Sequence, residues 1–156
     1  MQPIRIATVT SKGDPNTSAE NHFKALYGSV YTLKFDLKKA GKETFKVDKL
    51  RARWPDAHLL PKDEWTAIWA IPIPEDTETL PQKSDDIEVK IDTWKYGKIA
   101  QVLHIGPYSE EGPTVTLLHK FIEENNLQIA GVHEEEYLTR PDSKVVKTII
   151  RYQVKG

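Results

Sequence analysis

One order of segments occurs twice along the chain, and it constrains the fold more than any other feature. Residues 4–10 and 98–105 alternate like strands, and each is followed by a helical pattern and then by two strand-like segments. Two such strand, helix, strand, strand units predict the α+β class. We expect an antiparallel sheet with two helices on one face and a central ligand groove, on the opposite face or at the seam.

The halves are predicted to form a single domain over 1–156. Half one spans about 1–73, and half two spans about 87–156. Between them, residues 74–86 carry two prolines, five acids and no periodicity, which indicates a connection. The predicted strands are 4–10, 44–54 and 64–73 in half one, and 87–94, 98–105, 129–139 and 144–154 in half two.

The helices follow from apolar spacing. From Thr17 to near Gly41, apolar residues recur at intervals of three and four, beginning at Phe23. Tyr31 to Leu37 also alternates, so a strand beginning near Val30 is the competing interpretation. In half two, helical spacing predicts a helix after Pro113 with the apolar residues Val115, Leu118, Phe121 and Ile122.

Composition excludes several classes of function. The chain has 22 Lys+Arg against 23 Asp+Glu, a formal net charge of −1, so a direct nucleic-acid partner is not expected. It has no cysteine, which excludes thiol chemistry. No apolar stretch reaches the roughly 20 residues of a membrane helix, and the first ten residues lack signal-peptide features. We therefore expect a cytoplasmic protein without membrane contact.

The segment 131–138 is the most informative one for chemistry. Alternation in a strand places His133, Glu135 and Tyr137 on one face and Glu134 and Glu136 on the other. The first face thus presents an imidazole, a carboxylate and a phenol together. The pattern does not decide which face is buried, and three successive glutamates also suit a solvated edge strand.

Aromatic residues indicate where a pocket could lie. Trp65 and Trp69 are four apart in a predicted strand and so share a face, on which they could line a flat slot or simply pack in the core. Tyr108 follows the Gly106-Pro107 turn at a strand-to-helix corner, where it could contact a ligand or bond to the backbone.

No cofactor or metal is indicated. The five histidines show neither HxxxH nor HExxH spacing, so we predict no metal site. GxSxG, P-loop and GxGxxG motifs are absent, which removes the common hydrolase elbow, phosphate cradle and dinucleotide fingerprint.

Several segments together resemble the GyrI-like small-molecule-binding family, over nearly the whole chain. The segments 13–16 and 26–35 look like its stand-alone branch. The other matching segments are His104-Ile105-Gly106-Pro107-Tyr108, Thr114, Gly131-Val132-His133 with Tyr137-Leu138, and Lys147-Thr148-Ile149-Ile150-Arg151.

This resemblance implies a duplicated fold with a central groove. In relatives the module is the effector-binding domain of AraC-type and MerR-type multidrug regulators, a DNA gyrase inhibitor, or a stand-alone protein. The family's ligand-contacting glutamate falls on Glu135 and its strand tyrosine on Tyr137. Glu134 and Glu136 depart from the stand-alone pattern, in which a histidine and an aliphatic residue are frequent. No DNA-binding helix-turn-helix fits beside the module, so a regulator role is disfavoured.

Three functions remain in order of preference. The first is binding of amphipathic aromatic, often cationic molecules, with multidrug-type recognition or sequestration, by aromatic faces and the Glu135 charge. The second, which the resemblance implies, is a hydrolase that opens cyclopropane rings of alkylating natural products, with Glu135 as base and Tyr108 or Tyr137 as donor. The third is a protein-interaction module acting on gyrase or another protein.

Overall fold

The computed structural model describes residues 1–15 and 19–156. Asn16 and Thr17, where we predicted the end of the first turn and the start of the first helix, lie outside the described residues. The chain divides into two compact units. The N-terminal unit is Pro3–Lys95, and the C-terminal unit comprises Met1–Gln2 and Tyr96–Gly156.

The N-terminal unit is an antiparallel sheet with a helix against it. Its elements are β1 (Ile4–Lys12), α1 (Glu20–Lys39), β2 (Arg51–Trp54), β3 (Thr66–Pro72) and β4 (Lys90–Trp94). The strands lie in the order β4-β1-β3-β2.

Helix α1 confirms the helical interpretation of this segment, and the competing strand from Val30 is wrong. The apolar spacing buries Leu26 and Val30, which are both 0% exposed. The ring of Phe23 packs edge-on against Trp69 of β3, with centroids 4.7 Å apart. Gly41, with φ of +70°, stands just beyond the helix, in the left-handed conformation that commonly ends helices.

The C-terminal unit is built around its last strand. β8 (Lys147–Lys155) pairs antiparallel with β5 (Ile99–Ile105) on one side and with β7 (His133–Tyr137) on the other, while β6 (Gln128–Ile129) pairs with the end of β8. α2 (Glu111–Glu124) packs on this sheet. The core between them contains Ala100, Leu118, Ile122, Ile150, Tyr152 and Val154.

Three differences from the predicted strands are larger than a shift of a few end residues. Residues 87–94, which we assigned to half two, contribute β4 to the N-terminal unit, where Asp92 lies opposite Ile6 of β1. Alternation identifies a strand but not its partner, which explains the error. Of the strand that we predicted over 44–54, only the residues of β2 form a strand. Most of the residues from 44 to 50 are exposed.

The third difference is a break between β6 and β7. Gly131 lies so close to Gln153 of β8 that a Cβ atom would stand 2.5 Å from its side-chain oxygen. The backbone of Ala130 still donates to Gln153 O at 2.7 Å. Residues 130–132 therefore lie close to β8 but outside β6 and β7, where we predicted one continuous strand over 129–139.

The α+β class is confirmed by these antiparallel strands and helices. The superposition of the two halves remains a prediction. Within the described ranges, no helix combines the length and apolar character needed to cross a membrane.

Candidate functional site

Alternation along β7 places His133, Glu135 and Tyr137 on the face that carries α2. Glu135 lies opposite Ile150 of β8, and Ile150 packs in the core with Leu118 of α2. The predicted grouping of imidazole, carboxylate and phenol on one face is therefore present, beneath the N-terminal part of the unit's helix.

The opposite face of β7 holds a second and separate set of charges. Arg151 donates to Glu134 Oε2 at 2.9 Å and to Glu136 Oε1 at 3.0 Å, and the Tyr96 hydroxyl donates to Glu134 at 2.8 Å. Glu134 is 2% exposed and Glu135 8% exposed. The interpretation of the three glutamates as a solvated edge strand is wrong, because both faces of β7 supply partners for buried carboxylates.

Glu135 is a buried carboxylate surrounded by hydrogen-bond donors. His133 Nε2 lies 2.6 Å from its Oε2, the Tyr137 hydroxyl donates to its Oε1 at 3.0 Å, and Glu111 bonds to the same group. Burial opposes ionisation, but these hydrogen bonds and the His133 charge outweigh it and hold the pKa of Glu135 below its ordinary value. Glu135 is thus held as an anion.

Glu111, in the first turn of α2, is a site residue that the sequence analysis missed. Burial, followed by the negative charge of Glu135 and the hydrogen bond between the two groups, raises the pKa of Glu111 to about 9. A detectable signal existed, since Glu111 stands three residues after Tyr108 and directly before Gly112-Pro113 at the predicted helix start. The site therefore contains two carboxyl groups in different protonation states at neutral pH.

Tyrosine rings line the carboxyl pair. Tyr108 meets Tyr137 edge-on, with centroids 5.7 Å apart, and is itself 39% exposed. The Tyr152 hydroxyl lies 2.7 Å from His133 Nδ1, so Tyr152 fixes the ring that bonds Glu135. Burial and the Glu135 charge raise the pKa of Tyr108 and Tyr137, which therefore stay protonated and can donate.

His104 explains the 104–108 motif, which the sequence analysis singled out without assigning a role to its histidine. His104 Nδ1 lies 2.7 Å from the Thr114 hydroxyl of α2, and its Nε2 lies 3.0 Å from Pro107 O. Gly106, which lies between His104 and Pro107 in the sequence, adopts φ of +134°, a backbone conformation that residues with a side chain disfavour. The histidine ties the end of β5 to the start of α2, the segment that carries Tyr108 and Glu111.

Trp65 and Trp69, the two tryptophans predicted to line the ligand site, belong to an aromatic cluster in the N-terminal unit. Trp69 is 4% exposed and its indole N–H donates to the Ser11 hydroxyl at 2.8 Å. Trp65 precedes β3 instead of lying within it, is partly exposed, and donates to Leu60 O at 2.8 Å. Both rings contact Trp54 edge-on. Trp69 packs as a core residue, the alternative that the sequence left open.

The C-terminal unit thus brings together four of the six predicted site residues, namely His133, Glu135, Tyr137 and Tyr108. Trp65 and Trp69 are part of the N-terminal unit, and their contact with a ligand remains a prediction. Over residues 1–15 and 19–156 no three His, Cys, Asp or Glu side chains are arranged so that they could hold a metal ion.

The C-terminal unit thus places a buried carboxylate beside tyrosine rings, a small set of convergent polar and aromatic groups of the kind that orients ligands in small-molecule sites. The chain belongs to the family of GyrI-like small molecule binding domains, whose model matches residues 1–154. The resemblance seen in the sequence is confirmed.

Solved structures share this fold. An uncharacterized conserved protein from Listeria innocua is 25% identical, with a TM-score of 0.84, covering 99% of this chain and 89% of that one. A hydrolase from the same organism is 24% identical, with a TM-score of 0.81 and coverage of 99% and 88%. The EcmrR C-terminal domain is 13% identical, with a TM-score of 0.63 and coverage of 99% and 93%. Comparison with curated proteins returned no match.

Proposed function

We propose that the protein binds amphipathic aromatic, often cationic small molecules through the carboxylate and tyrosines of its C-terminal unit. The observation that carries this proposal is Glu135, an anion that is 8% exposed and already held by donors from three side chains. A buried charge that is paired and oriented in advance needs little rearrangement when a ligand arrives. We propose multidrug-type recognition or sequestration as the role of such a site.

The chemistry favours flat cations. Tyrosine faces attract a cation by about 0.5 to 2 kcal/mol, the larger value applying where water is excluded. Glu135 adds a counter-charge, and Tyr108 offers the most exposed ring beside it, at 39%. His133 acts by positioning Glu135, because its two ring nitrogens bond Tyr152 and the carboxylate. We also propose Trp65, which is partly exposed, and Trp69 as ligand-contacting residues.

The test compares two ligands of one shape, an aromatic cation and its neutral isostere, on Glu135→Gln. This variant keeps the size of the side chain and removes the charge. We expect at least tenfold weaker binding of the cation, about 1.4 kcal/mol, and little change for the neutral ligand. Glu110→Gln, at an exposed neighbouring carboxylate, is the matched control and should bind like the parent.

Equal losses for both ligands would show that Glu135 is structural and would refute the proposal. Titration by tryptophan fluorescence tests the aromatic residues in the same experiment. Trp65→Phe should reduce quenching by the bound cation. If Trp65→Phe and Trp69→Phe both bind and quench like the parent, the tryptophans are remote from the ligand.

A hydrolase that opens cyclopropane rings is the second candidate, because the site pairs a protonated carboxyl group with an ionised one. Glu135 would accept a proton from water while the water oxygen bonds to the ring methylene. The broken carbon–carbon bond supplies its electrons to the conjugated ketone, whose oxygen takes a proton from Tyr108 or Tyr137. The proton on Glu135 then returns to that tyrosine oxygen, so one water is added overall. A structural neighbour described as a hydrolase has this fold.

The lowered pKa of Glu135 favours binding over catalysis, since a general base works best with a pKa near the working pH. Mass spectrometry of a cyclopropane-bearing alkylator separates the two functions. Binding leaves its mass unchanged, whereas hydrolysis adds one water. Turnover by the parent that Glu135→Gln abolishes, with unchanged binding, would establish the enzyme.

A further inference from the structure

The contact between Glu111 and Glu135 requires a proton. Both groups are carboxyls, and they are hydrogen-bonded to one another. Two ionised carboxylates offer only acceptors, so one of them must carry hydrogen. Glu111 Oε2 is buried, and in the described part of the chain no donor reaches it. An ionised Glu111 would leave that buried oxygen charged and without a hydrogen bond, which is unfavourable.

The proton belongs to Glu111 because the two groups have different surroundings. Glu135 accepts from His133 at 2.6 Å and from Tyr137 at 3.0 Å, and both bonds stabilise its ionised form. Glu111 has the negative charge of Glu135 as its neighbour instead. The pair therefore carries a single negative charge while the site is empty of cations.

We propose that Glu111 is an adjustable counter-charge, which keeps its proton in the free protein at neutral pH and releases it to solvent when an aromatic cation binds. No bond to the ligand forms; the O–H bond of Glu111 breaks and the buffer takes the proton. The carboxyl pair then changes from one negative charge to two. This inference rests on the proposed function and specifies its ligand class. The site should prefer ligands with one or two positive charges over neutral molecules.

Other titratable groups face the pair and must be separated from it. They are His133 and Tyr137 on β7, Tyr108 in the turn before α2, and Tyr152 on β8. The pKa of each of these three tyrosines is raised, that of Tyr152 to about 12, so they do not titrate near neutrality. His133 is distinguished by substitution, since Glu111→Gln leaves it in place.

Glu111→Gln is also a close mimic of the protonated acid. Its amide can donate to Glu135 as the carboxyl does, but it has no proton to release. Glu110→Gln removes one charge from the adjacent, exposed position and serves as the control.

The experiment is calorimetric titration of the intact protein with a flat aromatic cation, in two buffers of different ionisation enthalpy, between pH 6 and 8.5. We expect release of up to one proton for each cation bound, and affinity that rises up to tenfold per pH unit. Glu111→Gln should bind the cation without releasing a proton, and its affinity should not depend on pH. Glu110→Gln is the control for the loss of a surface charge, and the neutral isostere is the control for ligand shape. Cation binding by the parent without proton release, or equal release by Glu111→Gln, would overturn the inference.

A second measurement needs no ligand. Carboxyl carbon NMR of the free protein should show one glutamate titrating near pH 9, absent from Glu111→Gln. If the Glu111 carboxyl instead titrates near pH 4.5, it carries no proton at neutral pH and the inference fails. Absence of cation binding by the parent would refute the proposed function, whereas this titration still decides the protonation of Glu111.

Discussion

Replacing Arg151 with Met should destabilise the protein more than most single substitutions. The guanidinium side chain is 4% exposed and bonds Glu134 at 2.9 Å and Glu136 at 3.0 Å. A third bond joins its Nε to Gln101 at 3.1 Å. Met fills much of the same volume but supplies no charge, so a carboxylate that is 2% exposed loses its charge-assisted bonds. Breaking one side of such a buried pair costs about 3 to 5 kcal/mol.

The assay is equilibrium unfolding in urea, with a thermal scan as a second readout. At about 2 to 4 °C per kcal/mol for a chain of this size, Tm should fall by roughly 6 to 20 °C. The double variant Arg151→Met with Glu134→Gln should recover part of the loss, because it also removes the buried negative charge that Arg151 neutralised.

An exposed ion pair provides the control for this prediction. Lys120 lies 3.7 Å from Glu124 on α2, with side chains 71% and 62% exposed. Lys120→Met should change the free energy of unfolding by less than about 0.5 kcal/mol. A loss below about 1 kcal/mol for Arg151→Met, or a double variant that is no more stable than Arg151→Met alone, would refute the reasoning.

Two further predictions concern the site's surroundings. The pKa of Glu111 is about 9 in the folded protein against about 4.5 for an ordinary glutamate, so the folded state holds a proton that the unfolded chain releases. Stability should therefore fall as pH rises through this interval, and Glu111→Gln should show a flatter profile in urea unfolding at pH 5, 7 and 9; equal slopes would contradict it. Gly106→Ala should cost about 1 to 3 kcal/mol because φ is +134° there. Gly28→Ala, within α1 and with its nearest neighbour, Lys83 Cβ, at an ordinary 3.5 Å from the added Cβ, should be neutral or stabilising, and similar losses at both glycines would count against the strain argument.

The local sequence pattern was sufficient to predict most helices and strands and part of the candidate site. The spacing around Leu26 and Val30 identified α1, and alternation along β7 grouped His133, Glu135 and Tyr137 correctly. Both inferences depend only on the geometry of one element. For the same reason they could not assign β4 to β1, since pairing is decided by residues distant in the sequence.

Glu111 and the burial of Glu134 were missed for a related reason. Glutamate in the first turn of a helix is ordinarily a solvated residue that complements the helix dipole. Its contact with Glu135 joins α2 to β7, and that of Glu134 with Arg151 joins β7 to β8. A single sequence does not show which charged residues will be paired, so it could not separate buried acids from exposed ones.

The run of three glutamates helps to fix the register of β7 against its neighbouring strand. In the native alignment the odd-numbered acid meets donors on the helix side and its two neighbours meet a guanidinium on the other. A slip by one residue would send every side chain to the opposite face. All three acids would then be buried against the wrong partners, and each mismatch would cost on the order of a few kcal/mol. Strand registers other than the native one are therefore unfavourable. The charges on β7, among them the one proposed to bind a ligand, thus also disfavour incorrect pairing of this strand.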